Sequence, residues 1–96
     1  MSGYVLKPRA QRDIEEIWDY SAATWDADQA ELYIRQIQRA LQLLAVDPRL
    51  GRACEDLRAG YRKFPSGSHL IFYRLLDDSI EVVRVLHERM DFDQHL

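Results

Sequence analysis

The sequence of 96 residues contains only one cysteine, three prolines and four glycines, and it has no long apolar run. Cys54 alone cannot form an internal disulfide, and together with three scattered histidines it matches no zinc-ligand spacing. The longest apolar runs, Leu43–Val46 and Leu70–Tyr73, fall far short of the roughly 18 to 20 residues that a membrane-spanning helix needs. An internal disulfide, a structural metal and a membrane-spanning helix are therefore not expected in this fold.

General catalytic motifs are missing as well. The sequence has no glycine-rich phosphate loop, no nucleophile elbow and no acidic cluster suited to two metal ions. We therefore expect no cofactor and no metal site. The first residues, Met1–Tyr4, lack the basic and apolar regions of a secretory signal, so we expect a cytoplasmic protein without a membrane partner.

The composition is that of an ordinary globular protein, with 47% hydrophobic and 30% charged residues. This length and composition predict one domain spanning residues 1–96. The net charge of −3 hides an asymmetry, because acids dominate Asp13–Glu31 and bases dominate Arg49–Arg74. A mildly acidic total argues against direct binding of nucleic acid, which requires a broad basic surface.

The first half of the chain has helical periodicity. Pro8 suits the first position of a helix, and the apolar spacing predicts a helix over about Pro8–Thr24. A capping box at Asp26–Gln29 predicts the start of a second helix, which ends before Asp47-Pro48. The linker of two residues predicts an antiparallel helix hairpin, in which we expect Trp18, Trp25 and Tyr33 to be core or hairpin-contact residues.

The second half of the chain changes to a period of two. After a predicted loop over Asp47–Arg58, three segments are rich in β-branched and aromatic residues: Gly60–Phe64, His69–Leu75 and Ile80–Leu86. Short turn-forming segments, Pro65–Gly67 and Asp77–Ser79, separate them. We expect an α+β domain of order β-α-α-β-β-β, in which a short N-terminal strand and the helix hairpin accompany a small antiparallel sheet with one open face.

Arg84 is the most unusual residue of the last predicted strand, because it lies among valines. A guanidinium there requires a carboxylate, a carbonyl or solvent, and an ion pair with a helix acid such as Glu15 or Glu16 is one solution. Arg58 and Arg62 belong either to a solvated strand edge or to a basic binding patch. His69 and His87 have no sequence partner for catalysis and are interpreted as packed or surface residues.

Several short motifs, in order along the chain, resemble the ParE branch of the RelE/ParE toxins. They are Leu6-x-Pro8-x-Ala10-x-x-Asp13-Ile14-x-x-Ile17, Gln29-Ala30-x-x-Tyr33, Pro48-x-x-Gly51-Arg52, Leu57-Arg58-x-Gly60-Tyr61-Arg62, Gly67-Ser68-His69-x-Ile71-Phe72-Tyr73-Arg74 and Arg84-Val85-Leu86-His87-x-x-Met90-Asp91. The resemblance covers almost the whole chain, and the fold of that family has the same element order as the one predicted from periodicity.

The resemblance implies the toxin of a bacterial type II toxin–antitoxin pair, which inhibits DNA gyrase by binding and is neutralised by a ParD-like antitoxin. The alternative is the RelE branch, whose members cleave mRNA in the ribosome. Related ribonucleases have an arginine after the histidine of the third strand, where this chain has Leu70, and this chain has no tyrosine after Tyr73. A third alternative is a module that has lost its toxicity.

The candidate contact residues for target and antitoxin are therefore arginines, tyrosines and the C-terminal segment, because arginine and tyrosine dominate interface hot spots. We expect an acidic partner opposite the arginines, and no catalytic residue. The candidates are Arg58, Tyr61, Arg62, Tyr73, Arg74, Arg84, His87, Met90, Asp91 and Leu96.

Overall fold

A computed structural model describes residues 3–96, which form a helix hairpin packed on a five-stranded sheet. The elements in chain order are β1 (Gly3–Leu6), α1 (Pro8–Thr24), α2 (Ala27–Val46), β2 (Arg52–Ala53), β3 (Tyr61–Ser66), β4 (His69–Leu75), β5 (Ser79–His87) and α3 (Phe92–His95).

The bounds of both long helices follow from local chemistry, as predicted. Helix α1 begins with Pro8, whose missing N–H would have had no partner in the first turn. Helix α2 begins after Asp26, whose carboxylate accepts a hydrogen bond of 2.8 Å from the Gln29 main-chain N–H. It ends at Val46, because Pro48 disfavours a helical conformation at Asp47.

The sheet has the strand order β1-β5-β4-β3-β2. Strands β3, β4 and β5 pair antiparallel, as predicted, whereas β1 pairs parallel with β5, with Tyr4 opposite Ile80. The sheet is therefore mixed, because the helix hairpin follows β1 and forms part of the long connection that a parallel pair requires. The second short strand, β2, lies inside the predicted loop and pairs with Arg62 and Lys63 of β3.

Strand β3 is longer than predicted, because it continues through Pro65 and Ser66, which were assigned to a turn. Pro65 is tolerated since β2 pairs only with an earlier part of β3, so that Pro65 lies where that edge has no ladder partner. The turn is formed instead around Gly67, whose φ of +59° favours glycine.

Strand β5 contains a β-bulge that changes which side chains share a face. The pairing shifts between Phe72, opposite Arg84, and Tyr73, opposite Val82, so that Val83 is the extra residue. Val82 and Val85 therefore both pack in the core beneath the helices, although strict alternation placed them on opposite faces.

The main core lies between the helix hairpin and one face of the sheet. Its buried residues include Ile37, Leu41 and Leu44 from α2 and Ile71 and Ile80 from the sheet. The aromatic assignments were only partly right: Tyr33 packs against this core, whereas Trp25 is 60% exposed and is not a core residue. The side chain of Trp18 is about one-third exposed and lies along α2, which agrees with a hairpin contact.

The opposite face of the sheet, which was expected to be open, carries a second, smaller apolar cluster. Cys54, Phe72 and Leu86 are buried there. The loop before β3 covers the cluster with Leu57, and the C-terminal segment covers it with Phe92 and Leu96. The expectation of an open face was therefore wrong, because the loop and α3 supply apolar residues whose burial the strand pattern does not reveal.

Candidate functional site

Arg84 forms a buried ion pair that joins the helix hairpin to the sheet. Its Nε and one terminal nitrogen donate to the two carboxylate oxygens of Asp13 at 2.7 and 2.9 Å, and the Val85 main-chain N–H donates to the same carboxylate at 3.0 Å. Arg84 is 7% exposed and Asp13 is 5% exposed. The predicted ion pair with a helix acid is confirmed, but the acid is Asp13 and not Glu15 or Glu16, because Asp13 lies on the α1 face that meets the edge of β5.

This position of Asp13 follows from the different lengths of the two parallel strands. Strand β1 pairs with β5 only as far as Val82, so that the later part of β5 has no strand on that side. The Asp13 carboxylate takes the place of a ladder acceptor for Val85, while it neutralises Arg84. Arg84 is therefore a supporting residue and not an exposed contact residue, which corrects its predicted role.

The C-terminal segment is held on the sheet by two arginines. Arg84 donates to the main-chain oxygen of His95 at 2.8 Å, and Arg58 donates to that of Leu96 at 2.7 Å. The Phe92 ring lies 5.0 Å from that of Phe72, centroid to centroid. Leu96 packs with them in the second cluster, so the predicted contact residues Arg58 and Leu96 are brought together by an intramolecular bond.

Two further candidates lie at the turn between β5 and α3. Met90 is 44% exposed and borders a cleft described below. Asp91 is exposed and caps α3 by accepting a hydrogen bond from the Asp93 main-chain N–H at 3.2 Å. Both are accessible to a partner.

Tyr73 and Arg62 stabilise the loop between α2 and β2. The Tyr73 side chain is fully buried, and its hydroxyl donates to the Pro48 carbonyl at 2.7 Å while it accepts from the Gly51 N–H at 2.9 Å. Burial raises the pKa of Tyr73. Arg62 donates to the Gly51 carbonyl at 2.6 Å. Tyr73 was a candidate contact residue, but its side chain is buried beneath the hairpin and is not accessible to a partner in this structure.

Arg74 and Tyr61 face each other across β4 and β3, one position along from the Arg62–Tyr73 pair. The Arg74 Nε donates to the Glu81 carboxylate across the sheet at 2.6 Å. Hydrogen bonding and the nearby charge of Glu81 raise the pKa of Arg74, which leaves it protonated at any physiological pH. Tyr61 is half-buried against the second apolar cluster. The four predicted arginines therefore all have partners within the chain.

A cleft of about 340 Å³ lies between α1 and the C-terminal end of β5, and all three histidines border it. His69 and His87 are direct cross-strand neighbours, with ring centroids 5.2 Å apart in an edge-to-face arrangement. His95 of α3 lies on the same cleft. His69 and His87 were interpreted as packed or surface residues without a catalytic partner. The signal that relates them is their position at the start of one predicted strand and just after the end of the next, which an antiparallel hairpin brings together.

The side chain of Tyr33 holds His69 in place. Its hydroxyl lies 2.6 Å from Nδ1 of His69 and accepts a hydrogen bond of 3.0 Å from the Ser68 N–H. A Cβ at Gly67 would lie 2.6 Å from the Tyr33 ring, so this contact also requires glycine in the turn. Burial, followed by the neighbouring His87, lowers the pKa of His69 to about 4. His69 is therefore neutral at pH 7.

Within residues 3–96, no group of three histidine, cysteine or acidic side chains is arranged to hold a metal ion. Over the same residues, no helix combines the length and apolar character needed to cross a membrane.

Comparisons with known proteins place this architecture among bacterial toxins. Residues 4–92 match the family described as ParE toxin of type II toxin–antitoxin system, parDE. The chain is 52% identical over 96 residues to Toxin ParE1 of Mycobacterium tuberculosis, covering 99% of this chain and 98% of that protein. It is 43% identical over 96 residues to Toxin ParE1 of Caulobacter vibrioides, covering 100% of this chain and 99% of that protein.

Solved structures show the same fold. A chain of the chromosomal ParDE toxin–antitoxin system from P. aeruginosa superposes with a TM-score of 0.78 at 18% identity, over 91% of this chain and 96% of that one. A chain of the toxin–antitoxin complex RelBE2 from Mycobacterium tuberculosis gives a TM-score of 0.63 at 20% identity, over 90% of this chain and 96% of that one.

The helix hairpin on a small mixed sheet is therefore the fold of the RelE/ParE toxins, as the sequence motifs predicted. Within that class, the chain belongs to the family of ParE toxins of type II toxin–antitoxin systems.

Proposed function

We propose that this toxin acts by binding DNA gyrase without catalysis, and that a ParD-like antitoxin neutralises it in the cytoplasm. The proposal rests on membership of the ParE family over residues 4–92. The partner class is supported by the ParDE system that shares the fold. The target and the absence of catalysis are inferences from the family and from the arrangement of the arginines.

The observation that carries the non-catalytic proposal is the neutralised state of Arg84. An enzyme that cleaves RNA must stabilise the charge of a pentacoordinate phosphorus with preorganised donors. The Nε, Nη1 and Nη2 atoms of Arg84 donate hydrogen bonds to Asp13 and to the His95 main chain, and Arg74 is paired with Glu81. Leu70 stands where the ribonucleases of the superfamily have an arginine. These features favour a binding protein over a nuclease.

We place the gyrase-contacting surface at the turn between β5 and α3 and at the edge of α3. Met90 and Asp91 are exposed there, and Arg58 is exposed beside Asp93 at 3.8 Å. The buried Arg84 supports this surface through its bond to the His95 main chain, and neither Arg84 nor the buried Tyr73 is expected to contact a partner directly. His87, half-buried on the cleft, is a candidate contact for the antitoxin.

The test is a gyrase supercoiling assay with the purified toxin, run beside cleavage of ribosome-bound mRNA and repeated with excess antitoxin. We expect loss of supercoiling, intact mRNA and full recovery with the antitoxin. Met90→Ala is expected to raise the half-inhibitory concentration about 5- to 10-fold, since an interface hot spot is worth more than about 1 kcal/mol. Leu43→Ala, a side chain on α2 with a similar exposure of 49%, serves as the matched control.

Ribosome-dependent cleavage of mRNA is the second candidate, because the His69–His87 pair on an open cleft is an arrangement that acid–base chemistry can use. Cleaved mRNA together with unaffected gyrase would favour this candidate and overturn the first. Inhibition that is equal for the Met90 and Leu43 variants would remove the proposed contact surface while leaving the target in place.

A further inference from the structure

The cleft bordered by His69, His87 and His95 is called the histidine cleft below. In His69 and His87 the Nδ1 atom already has a hydrogen-bond partner inside the chain, so only Nε2 is left for an occupant of the cleft. The Arg89 main-chain N–H donates to Nδ1 of His87 at 3.1 Å. A neutral His87 that accepts at Nδ1 must carry its proton on Nε2. The ring therefore offers an occupant of the cleft a donor.

The same conclusion holds for His69. The Tyr33 hydroxyl accepts from the Ser68 N–H, and its own proton has two possible acceptors: Nδ1 of His69 at 2.6 Å and the Ser66 carbonyl at 3.4 Å. We assign this proton to Nδ1, the nearer of the two acceptors. His69 then carries its remaining proton on Nε2, so that two adjacent rings both have Nε2–H donors that these internal bonds leave unused.

The charged groups around the two rings do not compete strongly for these donors. Asp13 is bound by Arg84, and Glu16 lies 3.9 Å from Arg9 at the rim. Glu88 is exposed next to Arg89, so solvent and salt screen its charge. The other titratable groups that face the pair are Tyr20 at the rim, Tyr33 behind His69, and His95 on α3.

The walls of the cleft suit a side chain with an aliphatic stem. Ile17, Val85 and Leu86 provide apolar surface, and Met90 lies at the entrance. Two donors at the end of an apolar cleft complement a group with two acceptor oxygens, and charge-assisted hydrogen bonds to a carboxylate are stronger than bonds to a neutral carbonyl. A glutamate or aspartate on a protein segment has this chemistry.

We propose that this cleft receives an acidic side chain of the antitoxin, with Nε2 of His69 and His87 as its hydrogen-bond donors. The inference rests on the proposed function for the identity of the partner. It also moves the expected acidic contact from the sheet arginines, which have internal partners, to the histidine pair. A carboxylate beside the imidazoles favours their charged forms, so the complex takes up protons as it forms.

The sign of the pH effect follows from this linkage. In the uncomplexed toxin the pKa of His69 is about 4, so this imidazole is neutral at pH 6 to 8. A bound carboxylate raises that pKa, and binding then becomes tighter as the pH falls towards the raised value. Uptake of a sizeable fraction of one proton predicts an affinity about 3- to 10-fold higher at pH 6 than at pH 8.

The experiment is calorimetric titration of the intact toxin with its cognate antitoxin at pH 6, 7 and 8. At each pH, two buffers of different ionisation enthalpy give the number of protons taken up. We expect proton uptake by the wild type, a weaker complex for His87→Gln, which loses one donor, and a flat pH dependence for His69→Gln, which loses the group that titrates. His69→Gln is measured as well, with a thermal melt, because this residue is also packed against Tyr33. His95→Gln is the matched control and is expected to retain the uptake.

A second arm identifies the carboxylate itself. Each acidic residue of the antitoxin is changed to its amide and titrated against wild-type toxin and against His87→Gln, which forms a double-mutant cycle for each pair. For one of these acids, the change to the amide should weaken binding to the wild-type toxin and should change binding to His87→Gln only slightly.

The outcomes separate the two proposals. No antitoxin binding at any pH contradicts the proposed function. Tight binding without proton uptake, with no coupled acid and with equal affinity for wild type and His87→Gln, refutes the histidine cleft as the docking site. Uptake that disappears only in His95→Gln refutes the assignment to the cross-strand pair.

Discussion

Replacement of Asp13 by asparagine is expected to destabilise the toxin strongly, because Arg84 would remain buried without a counter-charge. The asparagine keeps one acceptor oxygen for the three donors that Asp13 now satisfies, namely two from Arg84 and one from Val85. Breaking a buried ion pair by removing one partner costs about 3 to 5 kcal/mol, against a total stability of about 5 to 15 kcal/mol for a small domain. We therefore expect Asp13→Asn to remove a large part of the free energy of unfolding.

Urea unfolding of the isolated toxin, followed by far-ultraviolet circular dichroism, measures this loss. Circular dichroism is preferred to tryptophan fluorescence since Trp25 is 60% exposed. With a slope of about 1 to 1.5 kcal/mol per molar urea, the midpoint should fall by about 2 to 5 M. Asp19→Asn, an exposed acid on the same helix, should change the stability by less than about 0.5 kcal/mol.

The double variant Asp13→Leu with Arg84→Met tests the cause of the loss. Because it removes both charges, it should be more stable than the sum of the two single losses predicts, with a coupling of at least about 2 kcal/mol. Two results would refute the view that Asp13 and Arg84 form a buried ion pair that stabilises the fold. One is a loss of less than about 1 kcal/mol in the free energy of unfolding of Asp13→Asn, and the other is additivity of the losses of the two single variants in the double variant.

Two further predictions concern the loop and the C-terminal segment. Tyr73→Phe removes the hydroxyl that bonds Pro48 and Gly51, and should cost about 1 to 3 kcal/mol in the same urea assay, whereas Tyr20→Phe at an exposed site should cost almost nothing. Phe92→Ala uncovers the second apolar cluster and should speed native-state labelling of the buried Cys54 by a thiol reagent about tenfold, as expected for a local opening made about 1.4 kcal/mol easier. Val46→Ala, at a side chain 76% exposed on α2, is the control for labelling, and equal rates in the two variants would show that the C-terminal segment does not protect the thiol.

The parts of the fold that local chemistry controls were predicted correctly. Pro8, the Asp26 cap and Pro48 determined the bounds of both helices, because each acts on backbone groups within a few residues. Strand β4 was predicted with its observed bounds, because its apolar residues and flanking turn residues are local signals. The family motifs, which span the chain, predicted the toxin fold that the comparisons confirm.

Apart from the end of β3 at Pro65 and Ser66, the errors concern contacts between residues far apart in the sequence. Strand β1 has no sequence signal for a parallel partner, and β2, with two residues, is too short for a periodic pattern. The bulge at Val83 moved Val85 to the core face, which alternation alone excludes. Burial of a strand face depends on what the rest of the chain places over it, and so the cover provided by Phe92 and Leu96 was missed.

The amino-acid sequence by itself determined the order of the two long helices and of the longer strands, and the toxin family of this protein, since periodicity, helix caps and short motifs can all be read directly from the sequence. Only the tertiary structure decided that Asp13 neutralises Arg84, that Tyr73 is buried, and that three histidines share one cleft. Helical and strand periodicity specify the face on which a side chain lies, but they do not specify the register between elements. That register depends on packing across the whole core, which brings residues 71 positions apart into a single ion pair.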